Sequence, residues 1–361
     1  MESKRLDVEK IGIFAAGGTG GHIIPAIAIA TELKKMGITI IFVGNKGGME
    51  EKLVKNAGID FVGIDVQKLY RKLTLKHILF PYKLIKSVMD SIKIINLYQP
   101  DFFVGTGGFV SGPVGIAAKM KKIPLFIQEQ NSFPGLTNRK LGKFAKLIFL
   151  GYDSAKRYFP ADKTVFSGNP INPIDTDEKI DFAKYNLTEN SKKIFLLGGS
   201  QGSRFMNGFL DKIVDRLLKK SYEIIWQTGK WDIEFYQKKY NNKKGLYLFD
   251  FSSEIGKIYN SVDMVISRAG AISLEEIKFK KLPSVLIPLS IAAGNHQYFN
   301  ALEMKKAGIS SYIKESDMTA EKLFDAIEST MQKRDEIMEN FKNITMRKSA
   351  SVIAENILRN L

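Results

Sequence analysis

The stretch KIGIFAAGGTGGHIIPAIAIATELKKM, residues 10–36, decides the fold of this chain. Its apolar run at 10–16 predicts a buried strand, and the spacing of apolar residues over 24–36 predicts a helix. Between the two lies a glycine cluster at 17–21, which allows the backbone to turn sharply. A strand, a glycine turn and a helix in this order open a βαβ unit, the repeating element of parallel α/β sheets.

Short β-rich runs and longer helical patterns alternate through the rest of the chain. In the first half they predict further strands at residues 38–43, 61–65, 102–105, 124–128, 146–150 and 164–167, and helices at 49–57, 84–97 and 112–120. A second series predicts strands at 194–197, 223–227, 246–249, 264–267, 284–287 and 311–313, and a helix over 204–219. The alternation predicts right-handed crossovers and mostly parallel sheets with helices on both faces.

A chain of 361 residues exceeds the size of one compact core and fits two domains. Residues 168–181 lack periodicity and contain prolines, as a linker does. We therefore predict an N-terminal domain over 1–168, a second domain over 169–340, and a helix within 341–361 that packs back on the first. The predicted fold class is α/β, with two Rossmann-like, doubly wound domains and a ligand cleft between them.

The composition narrows the class of protein. The chain has no cysteine, which excludes disulfides, thiolate metal sites and cysteine nucleophiles. Its net charge of +16 is uneven, because residues 1–168 hold 25 Lys and Arg against 13 Asp and Glu, and residues 169–361 hold 29 against 25. A basic first half indicates an anionic partner such as phospholipid, nucleic acid or a phosphorylated substrate. A Lys-rich genome is the alternative source of the charge, although it explains the asymmetry less well.

The apolar stretch 11–30 resembles a membrane segment only at first sight. Glycines and Pro25 interrupt it, and Asp7 and Glu9 precede it, so we exclude a signal peptide and a spanning helix. If the protein meets a membrane, we expect it to lie on the surface.

Three glycine clusters, at 17–22, 105–108 and 198–202, each follow a predicted strand. Glycines at the carboxyl end of a strand let backbone N–H groups approach an anion, and the following helix adds partial positive charge. The first cluster has Ile23 where a dinucleotide fingerprint needs its third glycine, and none of the clusters has the Walker lysine. The alternative is that these glycines only form tight turns, an explanation that three clusters in one chain weaken.

Two segments of the second half carry groups that suit a nucleotide and a sugar. Residues 267–276 (SRAGAISLEE) follow a strand and open a helix, on which Glu276 can accept hydrogen bonds from two ribose hydroxyls. Alternatively, Glu276 is a solvated acid on a helix face. Residues 293–297 (AGNHQ) offer amide and imidazole groups to a polyhydroxylated sugar.

These segments, taken in order, resemble motifs of the MurG family of glycosyltransferases. The matching segments are 17–25, 105–113 (GTGGFVSGP), 128–138 (QEQNSFPGLTN), 168–170, 198–202, 267–276 and 295–301. They span nearly the whole chain. The segment at 270–276 is shared with other GT-B enzymes, whereas 17–22 and 128–131 together single out this family.

The resemblance implies a GT-B fold, no metal or other cofactor, and inverting transfer of N-acetylglucosamine from UDP to lipid I, which gives lipid II for peptidoglycan. It implies substrate-binding roles for Thr19, Gly20, Gly21, Asn131, Ser200, Gln201, Ala271, Glu276 and Gln297. It also places the uracil against the backbone of 251–255. Where the family usually has an arginine, this chain has Asn172, so we expect Arg204 or Arg268 to balance the phosphate charge.

Sugar transfer of this kind needs a base for the acceptor hydroxyl, and an imidazole titrates in the right range. His22, beside the first glycine cluster, is our candidate, and Glu129 is the competing base. The alternative for His22 is that it caps a helix or only binds phosphate. We expect the Ser200 loop and the helix after it to stabilise the departing diphosphate.

Residues 71–93 predict an amphipathic helix for a membrane surface. Apolar side chains at helical spacing alternate with lysines, which suits both the acyl boundary and anionic headgroups. The predicted patch is Leu79, Phe80, Leu84, Ile85 and Val88 with Lys76, Lys83 and Lys86. The alternative is an ordinary core-facing helix with solvated lysines, and the family resemblance favours the patch. We therefore expect a peripheral enzyme on the cytoplasmic face of the inner membrane.

Two other functions stay open at this stage. A different GT-B UDP-sugar transferase or an epimerase shares the nucleotide site but not the acceptor. A pI near 9.6 suggests nucleic-acid binding. Because the sequence contains neither an aromatic-interleaved basic motif nor a zinc finger, we expect no nucleic-acid partner.

Overall fold

Two α/β units make up the structure, a computed structural model that describes residues 10–67, 79–171, 177–199, 201–252 and 254–361. The first unit comprises Met1–Asn172 and Arg347–Leu361, and the second comprises Pro173–Met346. Each unit has its own parallel sheet with hydrophobic clusters packed against it.

The sheet of the first unit has the strand order β3-β2-β1-β4-β5-β6-β7, and every pairing is parallel. The strands are β1 Ile11–Ala16, β2 Thr39–Asn45, β3 Asp60–Ile64, β4 Phe102–Gly107, β5 Leu125–Glu129, β6 Leu147–Leu150 and β7 Thr164–Phe166. The helices are α1 Gly20–Lys35, α2 Met49–Asn56, α3 Phe80–Tyr98, α4 Gly108–Met120 and α5 Leu136–Gly142. The central strands are buried on both faces, which is why they appear in the sequence as continuous apolar runs.

The sheet of the second unit has the order β10-β9-β8-β11-β12-β13, also parallel. Its strands are β8 Lys192–Leu197, β9 Tyr222–Gln227, β10 Leu246–Phe249, β11 Met264–Ser267, β12 Ser284–Leu286 and β13 Ser310–Tyr312. Its helices are α6 Arg204–Asp211, α7 Val214–Lys219, α8 Ile233–Tyr240, α9 Ile255–Tyr259, α10 Ala271–Phe279, α11 His296–Lys306, α12 Ala320–Gln332 and α13 Arg334–Lys342.

The single helix predicted over 204–219 is wrong, because the chain breaks between α6 and α7. Ile213 has φ −120° and ψ −1°, outside the helical region, and its side chain is buried in the core of the second unit. The apolar periodicity continues through the break, since Ile213 still faces the core.

The last helix, α14 Ser349–Arg359, belongs to the first unit. Ile353, Ala354 and Ile357 are buried in the same cluster as apolar residues of α1. The Ser351 hydroxyl also donates to the Glu32 carboxylate at 3.2 Å. This helix therefore packs on α1 and completes one hydrophobic cluster of the first unit.

Each sheet contains a point where the strand order reverses. In the first unit β1 lies between β2 and β4, and in the second β8 lies between β9 and β11. In open α/β sheets, ligands bind beside such switch points, at the carboxyl ends of the strands. The carboxyl ends of β1, β4, β8 and β11 are therefore the places to look for a site, and all three glycine clusters lie at these ends.

Candidate functional site

The two glycine loops of the first unit touch each other at the switch point. A Cβ added to Gly108, whose φ is +82°, would lie 2.0 Å from the carbonyl oxygen of Gly17, so this contact needs glycine. Thr19 is the N-cap of α1, and its carbonyl accepts from the amide of His22 at 3.1 Å. The first amides of a helix lack acceptors within it and attract anions. The predicted residues Gly20 and Gly21 supply the first of these amides.

His22 is fixed between these loops. Its Nδ1 lies 3.1 Å from the Thr19 hydroxyl, and its carbonyl accepts from the Thr106 hydroxyl at 2.7 Å. The imidazole lies so close to Gly107 that a Cβ there would be 2.8 Å from Cδ2 of the ring. The half-buried imidazole therefore lies at the switch point, where open α/β sheets bind their ligands.

Glu129, the competing base, accepts hydrogen bonds from the loop that follows β5. It is buried at the end of β5. One carboxylate oxygen accepts from the backbone and side-chain amides of Asn131 at 2.9 and 3.1 Å. The other accepts from the Asn138 side chain at 2.9 Å and the Gly135 amide at 3.1 Å. Burial raises the pKa of Glu129 above its ordinary value, although the hydrogen bonds from these donors oppose the shift. With both oxygens occupied, Glu129 fits a structural role better than proton transfer.

Buried amides connect the separate motifs of the first unit. Gln130 donates to the carbonyl of Thr106 at 2.6 Å, and Gln128 donates to the Asn169 side chain at 3.2 Å. Asn169 in turn donates to the carbonyl of Gln130 at 3.0 Å. The QEQN and Gly-Asn-Pro segments are therefore parts of one network under the second glycine loop, which their separation in the sequence conceals.

In the second unit, the glycine loop after β8 packs against the loop after β9. Gly202 has φ +73°, and a Cβ there would lie 2.4 Å from the carbonyl oxygen of Thr228. Ser203 is the N-cap of α6 and accepts from the amide of Met206. Gln201 is exposed beside it, whereas the predicted Ser200 lies outside the described residues.

Arg268 ties this loop to its neighbours. Its guanidinium donates to the Ser203 hydroxyl at 2.9 Å and to the carbonyl of Ile287 at 3.1 Å. It also pairs with the Glu315 carboxylate at 2.6 Å, and Glu315 accepts from the amide of Ser290. Arg268 therefore joins the loops after β8, β11, β12 and β13, and its charge is already paired.

Glu276 lies on the second turn of α10 and is held by a residue that the sequence did not reveal. The Tyr259 hydroxyl, from α9, donates to its carboxylate at 3.1 Å. Burial raises the pKa of Glu276 to about 7, while the hydrogen bond from Tyr259 lowers it. The carboxylate is therefore oriented and stays close to its protonation point at neutral pH.

The two other predicted residues of the second unit are at helix starts. Ala271 is the first residue of α10 and is buried. Gln297 is in the first turn of α11, and its side-chain oxygen accepts from the amide of Leu289 at 2.9 Å. The side-chain amide of Gln297 is thus oriented by the backbone that follows β12.

Helix α3 has one apolar face toward the core and another toward solvent. Val88 is half-buried and packs against the core of the first unit, and its membership of the surface patch stays a prediction. Phe80 and Leu84 are half-buried, and Lys76 lies outside the described residues.

The exposed apolar residues, here called the outer row, are Leu79, Tyr82, Ile85 and Met89. Lys83, Lys86 and Lys93 are exposed on the same helix. Within the described ranges, no helix combines the length and apolarity needed to cross a membrane.

Two doubly wound units with glycine loops at their switch points are the architecture of the GT-B fold class. The chain belongs to glycosyltransferase family 28, because the family's N-terminal domain matches residues 13–150 and its C-terminal domain matches residues 193–357.

Full-length relatives agree. A protein of Flavobacterium psychrophilum, 38% identical over 96% of each chain, is named UDP-N-acetylglucosamine--N-acetylmuramyl-(pentapeptide) pyrophosphoryl-undecaprenol N-acetylglucosamine transferase. A protein of Coxiella burnetii with the same name is 36% identical over 92% of each chain. The crystal structure of Acinetobacter baumannii MurG is similar with a TM-score of 0.78 and 27% identity, covering 97% of this chain and 99% of that one. Membership of the MurG family, predicted from the motifs, is confirmed.

Proposed function

We propose that this chain transfers N-acetylglucosamine from UDP-N-acetylglucosamine to lipid I, the undecaprenyl-diphosphate-linked N-acetylmuramyl-pentapeptide, and so forms lipid II for peptidoglycan. One observation carries the proposal: relatives that match nearly the full length of the chain bear the name of this transferase. The residues around both switch points supply groups suited to each step of that reaction.

The second unit binds the donor in this proposal. The loop at 198–203 and the start of α6 receive the diphosphate, as helix N-termini do. Glu276 accepts hydrogen bonds from the ribose, and Gln297 contacts the sugar. The backbone at 251–255 borders the uracil. Support comes from the fixed orientation of Glu276 by Tyr259 and of Gln297 by the backbone amide of Leu289.

The first unit supplies the base. The acceptor hydroxyl attacks the anomeric carbon, the bond from that carbon to the diphosphate oxygen breaks, and UDP leaves with the electron pair. The hydroxyl proton passes to the imidazole of His22, and attack opposite the leaving group inverts the anomeric centre. The hydrogen-bonding contact between Nδ1 and Thr19 supports this role, because it holds the ring in one orientation. Glu129 and Asn131 shape the loop beside it.

The reaction needs an acceptor, which distinguishes it from epimerisation. The fold alone is shared with a UDP-N-acetylglucosamine 2-epimerase structure, at 14% identity and a TM-score of 0.66. We expect UDP release from UDP-N-acetylglucosamine only when a lipid I analogue is present, measured with a coupled assay for free UDP. Conversion of the donor to its epimer without any acceptor would contradict the proposed transfer and favour the epimerase.

We further propose that α3 rests on an anionic membrane surface, with the protein at the cytoplasmic face of the inner membrane. The outer row offers apolar side chains, and Lys83, Lys86 and Lys93 offer positive charge to lipid headgroups. Each basic residue near such a surface contributes about 1 kcal/mol, and the apolar side chains add burial in the acyl boundary.

The double substitution Ile85→Ser and Met89→Ser is expected to weaken binding to vesicles of anionic phospholipid by about tenfold or more, because two large apolar side chains no longer enter the lipid. A sedimentation assay with such vesicles measures the change. Phe235→Ser is the matched control, because Phe235 is 62% exposed against 61% for Ile85 but belongs to the second unit. Equal vesicle binding by the double variant and the wild type would contradict the membrane proposal.

A further inference from the structure

An exposed arginine lies beside the glycine loop of the second unit. Arg204 is the first residue of α6, directly after the loop at 198–203. Its side chain is 72% exposed, whereas that of Arg268 at the same edge of the sheet is 12% exposed and paired with Glu315. Of these two arginines, Arg204 is the one whose charge a ligand can reach.

Arg204 is nevertheless held in place. Its Nε lies 3.2 Å from the Asp232 carboxylate, and its guanidinium carbon lies 5.9 Å from the centre of the Trp231 ring. Its two terminal amino groups make no hydrogen bond to any residue that the structure describes. Asp232 and Trp231 thus lie beside the guanidinium, and the two terminal amino groups remain for a ligand.

The support for Arg204 reaches into the core. Asn207 is fully buried on α6 and donates to the Asp232 carboxylate at 2.8 Å and to the carbonyl of Thr228 at 2.8 Å. Its side-chain oxygen accepts from the indole N–H of Trp226 at 2.9 Å. This chain of contacts sets the position of Asp232, and Asp232 in turn orients Arg204. Side chains supported in this way hold a binding geometry more closely than free ones.

We propose that Arg204 binds the diphosphate of the donor through its two terminal amino groups, with Asp232 and Asn207 as positioning residues. The inference rests on the proposed function and adds a residue role to it. A guanidinium fork matches two phosphate oxygens, and such charge-assisted pairs are the strong hydrogen bonds of proteins. Negative charge grows on the diphosphate as UDP departs, so the same contact strengthens in the transition state.

Lys230 provides the contrast. It is exposed in the neighbouring loop after β9, and no ion pair or ring contact holds it among the residues that the structure describes. An unpaired lysine carries its charge on a flexible side chain, whereas the guanidinium of an arginine is planar and can bind two phosphate oxygens at once. Comparing Arg204 with Lys230 therefore separates a specific contact from the general attraction of a basic surface.

The test compares UDP with uridine, which lacks the phosphates, by calorimetry on the full chain. Arg204→Gln is expected to lower UDP affinity by about 10- to 100-fold, as loss of a charged bidentate contact does, and to leave uridine affinity unchanged. Arg204→Lys is expected to recover part of the loss. Lys230→Gln is expected to lower UDP affinity by less than about threefold, as an exposed and unheld charge does.

Turnover tests the positioning residues. Asp232→Asn is expected to lower kcat more than it weakens UDP binding, because the charge of Arg204 remains while its orientation is lost. An unchanged kcat in Asp232→Asn would overturn the positioning role.

The binding results separate this inference from the proposed function. An unchanged ratio of UDP to uridine affinity in Arg204→Gln would overturn the role of Arg204, and so would an equal loss in Lys230→Gln. If the wild type itself bound no UDP, the proposed donor site would be contradicted, and this inference with it.

Discussion

Replacing His22 with alanine is expected to lower kcat for sugar transfer by about a hundredfold to ten-thousandfold, the range for loss of a general base. UDP affinity should stay within about twofold, since no donor-binding role is proposed for the imidazole. His22 belongs to the first unit, whereas Glu276 and Gln297, which are proposed to hold the ribose and the sugar, belong to the second. Single-turnover kinetics with saturating donor, combined with UDP binding, measures both quantities.

Glu129→Gln provides the comparison for His22→Ala. Because the Glu129 carboxylate accepts from Asn131, Gly135 and Asn138, the amide replaces an acceptor by a donor in a fully engaged network. We expect this variant to lose thermal stability as well as activity, whereas His22→Ala should retain the melting temperature of the wild type. Near-normal turnover in His22→Ala together with an inactive but stable Glu129→Gln would reverse the two roles.

Glu276 is expected to make donor binding depend on pH. The ribose hydroxyls donate to its carboxylate, so the donor selects the ionised form. Burial raises the pKa of Glu276 to about 7. The affinity for the donor should therefore be highest above that pH, where Glu276 is ionised, and should decline below it. Between pH 8 and pH 6, the affinity for UDP-N-acetylglucosamine should fall by about tenfold, following the ionised fraction. UDP-N-acetylglucosamine is the right probe, since its diphosphate has no proton to lose in this range.

Substitution of Glu276 separates its charge from its shape. Glu276→Ala is expected to weaken donor binding by about a hundredfold, since two hydrogen bonds to a charged group are lost. Glu276→Gln should bind weakly at every pH between 6 and 8 and show no slope. Calorimetry at pH 6, 7 and 8 measures the series. A flat profile in the wild type, or the same slope in Glu276→Gln, would contradict the assignment.

Much of the fold could be predicted because parallel strands are buried on both faces. β4 and β5, for example, consist of nearly uninterrupted apolar residues before their glycine or polar ends. The tight turns at the glycine clusters could also be predicted, since glycine is required where Gly108 contacts the backbone of Gly17. These patterns are local in the sequence, so they can be interpreted without knowledge of tertiary contacts.

Details that depend on packing were harder to predict. On α3, the sequence did not show that Val88 packs partly on the core, or that Tyr82 and Met89 are exposed in the outer row. Their spacing with Ile85, three and four residues away, was the available signal. Between α6 and α7, Ile213 keeps the apolar periodicity and conceals the break.

The roles of several site residues could not have been found from the sequence alone. Tyr259 reaches Glu276 from another helix, and Asp232 reaches Arg204 from another loop. Glu129 has the residue type of a base, and only its four donors show that it organises a loop. Residue type therefore indicated the candidate site residues, and the hydrogen-bond partners favour one proposed role for each of them.

Product analysis tests the central claim most directly. The enzyme is incubated with UDP-N-acetylglucosamine carrying an isotopic label in the sugar and with a lipid I analogue, and the lipid product is examined by mass spectrometry and NMR. We expect a labelled disaccharide on the lipid diphosphate, with a β-linkage because the anomeric centre is inverted. A product with an α-linkage would contradict the inverting mechanism, and donor binding without any labelled lipid would contradict the proposed acceptor.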